Sequence, residues 1–142
     1  MLFSYNSVME MNKIRLLRAI LYAVGFYHMI AAIVHFFGIT LFPFYHASLY
    51  SPYHDTLIAM AAVFISLIFF VVAKNPIKYI QMLHALLLMG AIGIVTNIWI
   101  LRSFNFTSLG ASEKYLQTWI ELSALSLVTL VVALLIPKKK SL

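Results

Sequence analysis

The uncharged stretch TLIAMAAVFISLIFFVVA, residues 56–73, decides the fold that this sequence predicts. A helix that crosses a bilayer core needs about 20 predominantly apolar residues, and this stretch nearly has that length. Asp, Glu, Lys and Arg are also missing from Ala19 to His54 and from Tyr79 to Leu101. A fourth apolar stretch, Tyr115 to Ile136, carries Glu121 as its single charged residue. We therefore predict four transmembrane helices.

The composition agrees with a chain that is surrounded by lipid. Of 142 residues, 63% are hydrophobic and 10% are charged, whereas soluble domains have about 45–50% and about 25%. A chain this short could not bury so much apolar surface in a water-soluble core. The net charge of +6 comes from basic residues at the ends of the apolar stretches, so we predict no nucleic-acid partner. Cysteine is missing, which excludes disulfides, thiol catalysis and Cys-ligated metals.

These observations predict an all-α fold, with one transmembrane domain over residues 1–142 built as an up-down four-helix bundle. The predicted helices cover about residues 14–40, 55–73, 77–102 and 113–136, after a short polar and aromatic lead over Met1–Asn12. Asn75-Pro76 is a stop signal for the second helix, and Pro137 ends the fourth. Ser112, which precedes Glu113, is a candidate N-cap of the fourth helix.

Basic residues predict the orientation of the bundle. Two of them, Arg102 and Lys114, fall on one side of the predicted membrane. Eight fall on the other side: Lys13, Arg15, Arg18, Lys74, Lys78, Lys138, Lys139 and Lys140. Because positive charge accumulates on the cytoplasmic side, we expect both termini to be cytoplasmic and the loops Leu41–His54 and Ser103–Ser112 to face outward.

We expect the bacterial inner membrane as the location, and the endoplasmic reticulum membrane is the alternative. The alternative depends on two short motifs. Asn105-Phe106-Thr107 is a glycosylation sequon, and the ending Lys139-Lys140-Ser141-Leu142 resembles a dilysine retrieval signal.

Polar residues near the outer ends of the predicted helices are candidates for a ligand site. Such groups are costly in hydrocarbon and usually face the bundle interior. The outer loop FPFYHASLYSPYHD, residues 42–55, is either an aromatic belt at the interface or a lid over a cavity. The candidate ligand-binding residues are His35, Tyr45, His46, His54, Asp55, Asn97, Arg102 and Glu121.

Glu121 is expected to pair within its own helix or across the bundle. Lys114 and Gln117 are candidate partners on the same helix, and His35, Asn97 and Arg102 are candidates on other helices.

The histidines allow further hypotheses. A haem between the first and third helices would take His28 and His84 as axial ligands. An outer metal site would use His35, His46, His54 and Asp55, but no spacing presents two ligands on one helical turn, and we predict no metal. The third hypothesis is that the histidines are hydrogen-bonded structural residues, and we favour it. No catalytic residue is predicted.

Part of the chain resembles a family of bacterial membrane proteins. The sequence Ala73-Lys74-Asn75-Pro76 with Tyr79 resembles the small BphX-like inner-membrane proteins, as does Ile98-Trp99-Ile100-Leu101-Arg102. The similarity covers about residues 18–102, and Leu21–Gly25 is compatible with it. It implies four spans and a small size and supplies no site residues, because the acidic residues of the family's middle helices have no equivalents here. A second resemblance, to DoxX-like four-helix proteins, implies quinone-dependent redox chemistry.

The sequence therefore predicts a small polytopic membrane protein that binds a hydrophobic ligand or a partner membrane subunit. The alternative is a redox subunit with haem or quinone as its cofactor. We expect the lipid bilayer as a partner, and a homo-oligomer is compatible with the sequence.

Overall fold

The computed structural model describes residues 2–39, 50–108 and 112–137, with side chains from residue 10 onward. Within these ranges the chain forms four helices: α1 (Leu2–Phe37), α2 (Pro52–Lys74), α3 (Ile80–Ser103) and α4 (Ser112–Leu135). Each contains a segment that is long and apolar enough to cross a membrane. The prediction of an all-helical protein with four such helices is confirmed.

Local signals explain most of the helix ends. Pro52 opens α2, where its missing N–H costs nothing, and α2 stops at Lys74 before Asn75-Pro76 as predicted. The Asn75 carboxamide oxygen then accepts the Lys78 N–H at 3.0 Å and shapes the turn into α3. Helix α1 ends before Gly38, whose φ of +61° is a conformation that favours glycine.

Helix α1 differs from its prediction at its start. It begins at Leu2 and includes the residues that were expected to form a nonhelical lead. Neither Gly nor Pro occurs between Leu2 and Val24, which permits the helix to begin this early.

Helices α1 and α2 form an antiparallel pair along most of their length. Three hydrogen bonds mark the pairing: Arg18 Nε donates to the Ala73 carbonyl at 3.0 Å, Ser66 Oγ donates to the Gly25 carbonyl at 2.8 Å, and His35 Nδ1 lies 2.7 Å from Asp55 Oδ1. The residue numbers rise on α1 as they fall on α2. The Arg18 and Asp55 contacts therefore lie at opposite ends of the pair.

Helices α3 and α4 form a second antiparallel pair with a smaller interface. Gly90 faces Thr129, and Gly93 faces Leu125. The two pairs meet through α1 with α4 and α2 with α3, whereas the backbones of α1 and α3 stay more than 8 Å apart, Cα to Cα, in the described part of the chain. Buried residues of α3 occur only in its first half, at Leu83, Leu86 and Gly90.

The main core therefore lies at the end of the bundle that carries Arg18 and Lys74. All four helices contribute to it, through Leu17, Leu21, Phe69, Val72, Ala73, Leu83, Leu86 and Val132. Toward the other end the two helix pairs pack less closely, and a cavity lies between α1, α2 and α4.

Candidate functional site

The cavity between α1, α2 and α4 has a volume of about 560 Å³, which lies within the range of small-molecule sites. Its apolar wall consists of small and branched aliphatic side chains: Ala31, Val34, Ile58, Ala61, Ala62 and Ile65. The polar part of its lining consists of Tyr27, His28, His35, His54, Asp55, Lys114 and Glu121. Such a lining suits a molecule with one apolar and one polar part.

Asp55 and His35 form a short and largely buried polar contact in the cavity. Asp55 is only 2% exposed, and its Oδ1 lies 2.7 Å from His35 Nδ1. Its Oδ2 accepts the Ser51 N–H at 2.7 Å. Asp55 also stands in the first turn of α2, where the helix dipole favours a negative charge. The carboxylate thus fixes the orientation of the His35 ring and favours a proton on Nδ1.

A second contact lies beside this pair at the start of α2. His54 Nδ1 and Ser51 Oγ are 2.9 Å apart, and the contact is exposed. Ser51 precedes the helix, but its hydroxyl does not cap the helix backbone. The Asp55 carboxylate supplies part of that role instead, because it accepts the Ser51 N–H.

Glu121 is the acidic residue that α4 contributes to the cavity lining. Its Oε1 accepts hydrogen bonds from Gln117 Nε2 at 2.8 Å and from Lys114 Nζ at 3.3 Å, so both partners predicted on the same helix are confirmed. Among the described residues no donor is bonded to Oε2. Tyr27, on α1, lines the same cavity as Glu121.

His28 lies at the inner part of the cavity, seven residues before His35 on α1. Its ring is half-buried and stacks on Phe69 of α2, with centroids 5.7 Å apart and an angle of 16° between planes. His84 is exposed on α3, a helix that contributes nothing to the cavity lining. In the described residues the two histidines therefore share no cavity, and the haem pair stays a prediction.

The structure brings together four of the predicted ligand-site residues and separates two. His35, His54, Asp55 and Glu121 line the same cavity. Asn97 and Arg102, both on α3, do not line it. Asn97 Nδ2 instead donates to the Gly93 carbonyl of its own helix at 3.0 Å. Arg102 is exposed near the end of α3. Tyr45 and His46 lie outside the described residues.

Three polar residues of the cavity were missing from the predicted ligand site: Tyr27, His28, which was considered only as a haem ligand, and Lys114, which was considered only as a partner of Glu121. Helical spacing could have indicated Tyr27, because it lies next to His28 and one turn before Ala31. Over the ranges with defined structure, no three His, Asp or Glu side chains are grouped so that they could hold a metal ion.

The chain matches no known protein family, no characterised protein and no solved structure. The resemblance to BphX-like and DoxX-like proteins therefore stays an expectation.

Proposed function

We propose that this protein is a multi-pass protein of the bacterial inner membrane that binds a hydrophobic ligand with a polar end. The observation that carries the proposal is the cavity itself. Its aliphatic wall and its polar groups lie in one space between three helices. Sites of this kind usually combine a mostly apolar lining with a few polar groups that fix the ligand's orientation.

The exposed surface of the helices supports the membrane part of the proposal. In the most apolar window of α3 only 11% of the residues are buried, and in that of α4 only 17%. Large apolar side chains such as Leu88, Val95 and Leu134 are more than 60% exposed. Water is a poor solvent for this surface, whereas a bilayer core is a good one and leaves the helical backbone hydrogen bonds intact.

The proposed orientation places the Lys74–Lys78 turn in the cytoplasm and the α3–α4 loop outside. Because the chain has no cysteine, single cysteines test it cleanly. In intact cells, a membrane-impermeant maleimide is expected to label Thr107→Cys fully and Ile77→Cys only after permeabilisation. Both positions are exposed, which makes them a matched pair. The reverse labelling pattern would contradict the orientation, and extraction of the protein by alkaline carbonate would contradict membrane insertion.

The cavity's position suggests how a ligand would lie. Its lining on α2 runs from His54 to Ile65, a rise of about 16 Å, which is roughly half the thickness of a bilayer core. Asp55 lies at the end of α2 that we assign to the outer surface. The ligand's polar end would thus meet His35, Asp55 and Glu121, while its apolar part extends toward the middle of the membrane.

A cavity-filling substitution tests the proposal. Ala61 is an exposed residue of the cavity wall, and Ala61→Phe would place an aromatic ring in the ligand's space. We expect organic extracts of the purified wild-type protein to contain a hydrophobic compound that falls at least about tenfold in this variant, as measured by mass spectrometry. Ala91→Phe, at an exposed position of α3 outside the cavity, is the control and is expected to retain the compound. Equal extracts from both variants would contradict the proposal.

A quinone is the second candidate ligand, and the His35–Asp55 contact favours it. A histidine that is oriented by a buried carboxylate can form a hydrogen bond to a carbonyl and exchange a proton with it. If the ligand is a quinone, His35→Leu is expected to abolish the binding of decylubiquinone. His84→Leu changes an exposed histidine outside the cavity and is expected to leave this binding intact.

A further inference from the structure

We infer that the ligand's polar end is positively charged, so that the cavity takes a lipophilic ammonium ion whose charge is met by Glu121. This inference rests on the proposed function, because it names the class of ligand that the same cavity would bind. It depends on the charge balance of the lining and on the different environments of its two carboxylates.

Among the described residues, the cavity lining carries more negative than positive charge when its histidines are neutral. Helix α1 contributes Tyr27, His28 and His35, α2 contributes His54 and Asp55, α4 contributes Lys114 and Glu121, and α3 contributes no group. With neutral histidines, two carboxylates face one ammonium group. An uncompensated charge in an apolar cavity is costly, so a cation that enters is favoured over an anion of the same shape.

The two carboxylates differ in what they can still accept. Asp55 is buried, and each of its oxygens already has a protein partner. Glu121 has a side chain that is 35% exposed, and both of the hydrogen bonds that it makes with described residues go to Oε1. Glu121 Oε2 is therefore the acceptor that an ammonium group of a ligand would reach. The Tyr27 ring, which lines the same cavity, adds a surface that attracts cations.

The same charge balance makes protons competitors of the ligand. The ligand neutralises the excess negative charge, and protons that bind to the lining would neutralise it as well, since the lining includes three histidines. Histidine is the side chain that ordinarily changes charge between pH 5 and 8. A cationic ligand should therefore bind more weakly at pH 5.5 than at pH 8.

Three probes of equal chain length test the inference: radiolabelled decylamine, decanol and decanoate. Uptake is measured by equilibrium dialysis with the protein in nanodiscs, after subtraction of empty nanodiscs, and saturable uptake is assigned to the cavity when Ala61→Phe removes it. We expect decylamine to bind at least about tenfold more tightly than decanol at pH 8 and more weakly at pH 5.5. Decanoate is expected to bind most weakly.

Variants that change one charge test whether Glu121 is the residue that binds the ammonium group. Glu121→Gln is expected to weaken decylamine binding at least about tenfold and to weaken decanol binding much less, because the amide oxygen of Gln can still accept a hydrogen bond from a hydroxyl group. Glu113→Gln makes the same change at an exposed residue of the same helix outside the cavity, and its binding should match wild type. Lys114→Met removes the positive charge beside Glu121 and should strengthen decylamine binding, which gives a second test if Glu121→Gln folds poorly.

The outcomes separate the two proposals. Saturable decanol or decanoate uptake without a preference for decylamine would overturn the charge inference and leave the proposed function standing. Unchanged decylamine affinity in both Glu121→Gln and Lys114→Met would also overturn it. If wild type takes up none of the three probes saturably, both the inference and the proposed function are overturned.

Discussion

Asp55→Ala is expected to lower the free energy of unfolding by about 2–4 kcal/mol, one of the two largest effects that we predict. The carboxylate is buried and holds two donors from different elements: His35 on α1 and the Ser51 N–H before α2. Its removal leaves these polar groups without their acceptor at the end of the helix pair where the main core is absent. Unfolding in mixed detergent micelles, followed by circular dichroism, measures the change.

Two neighbouring variants make this measurement specific. Asp55→Asn keeps the shape and one acceptor oxygen, so about half of the loss is expected. Thr56→Ala removes an exposed hydroxyl that donates to the Pro52 carbonyl of its own helix, and it should change stability by less than about 0.5 kcal/mol. If Asp55→Ala costs no more than Thr56→Ala, the His35–Asp55 contact does not hold α1 and α2 together.

The four helices were predictable because the signal is the absence of charge over long stretches, and that signal does not depend on tertiary packing. The end of α2 was also predictable, since Asn75-Pro76 cannot continue a helix. The start of α1 was not. A polar segment without Gly or Pro can form either a nonhelical segment before the helix or an extension of the helix. Its environment in the folded protein decides between the two, and the sequence does not give that environment.

The candidate site was predictable in part, because polar residues stand out in apolar helices. His35, Asp55 and Glu121 are polar groups in or beside apolar helices, so a shared interior position follows from the cost of exposing them to lipid. Asn97 was expected there too, but its amide is satisfied by a carbonyl one turn earlier on α3. The outer half of α3 has no buried residues, and this arrangement of the helix pairs has no signature in the periodicity of the sequence.

The second large effect is expected from Gly25→Leu, which should lower the free energy of unfolding by about 2–4 kcal/mol. At Gly25 a Cβ atom would lie 2.6 Å from Phe70 Cε1 and 3.3 Å from Phe69 Cβ. The Phe69 Cβ is fixed to the backbone of α2, so a larger side chain must push the helices apart. That movement would also break the buried hydrogen bond from Ser66 Oγ to the Gly25 carbonyl. Ala23→Leu, at an exposed position of the same helix, should have little effect.

A double-mutant cycle shows whether close packing causes the loss. The Phe70 ring packs on Phe26, with ring centroids 5.0 Å apart, so it can yield only partly when Gly25 gains a side chain. Phe70→Ala removes the nearest obstacle, and Gly25→Ala should then cost about 1 kcal/mol less than it does in the wild-type background. Equal costs in both backgrounds would mean that Gly25 and Phe70 are not in steric contact. In that case the close approach of α1 and α2 would depend on the Ser66 hydrogen bond, and Ser66→Ala would have the larger effect.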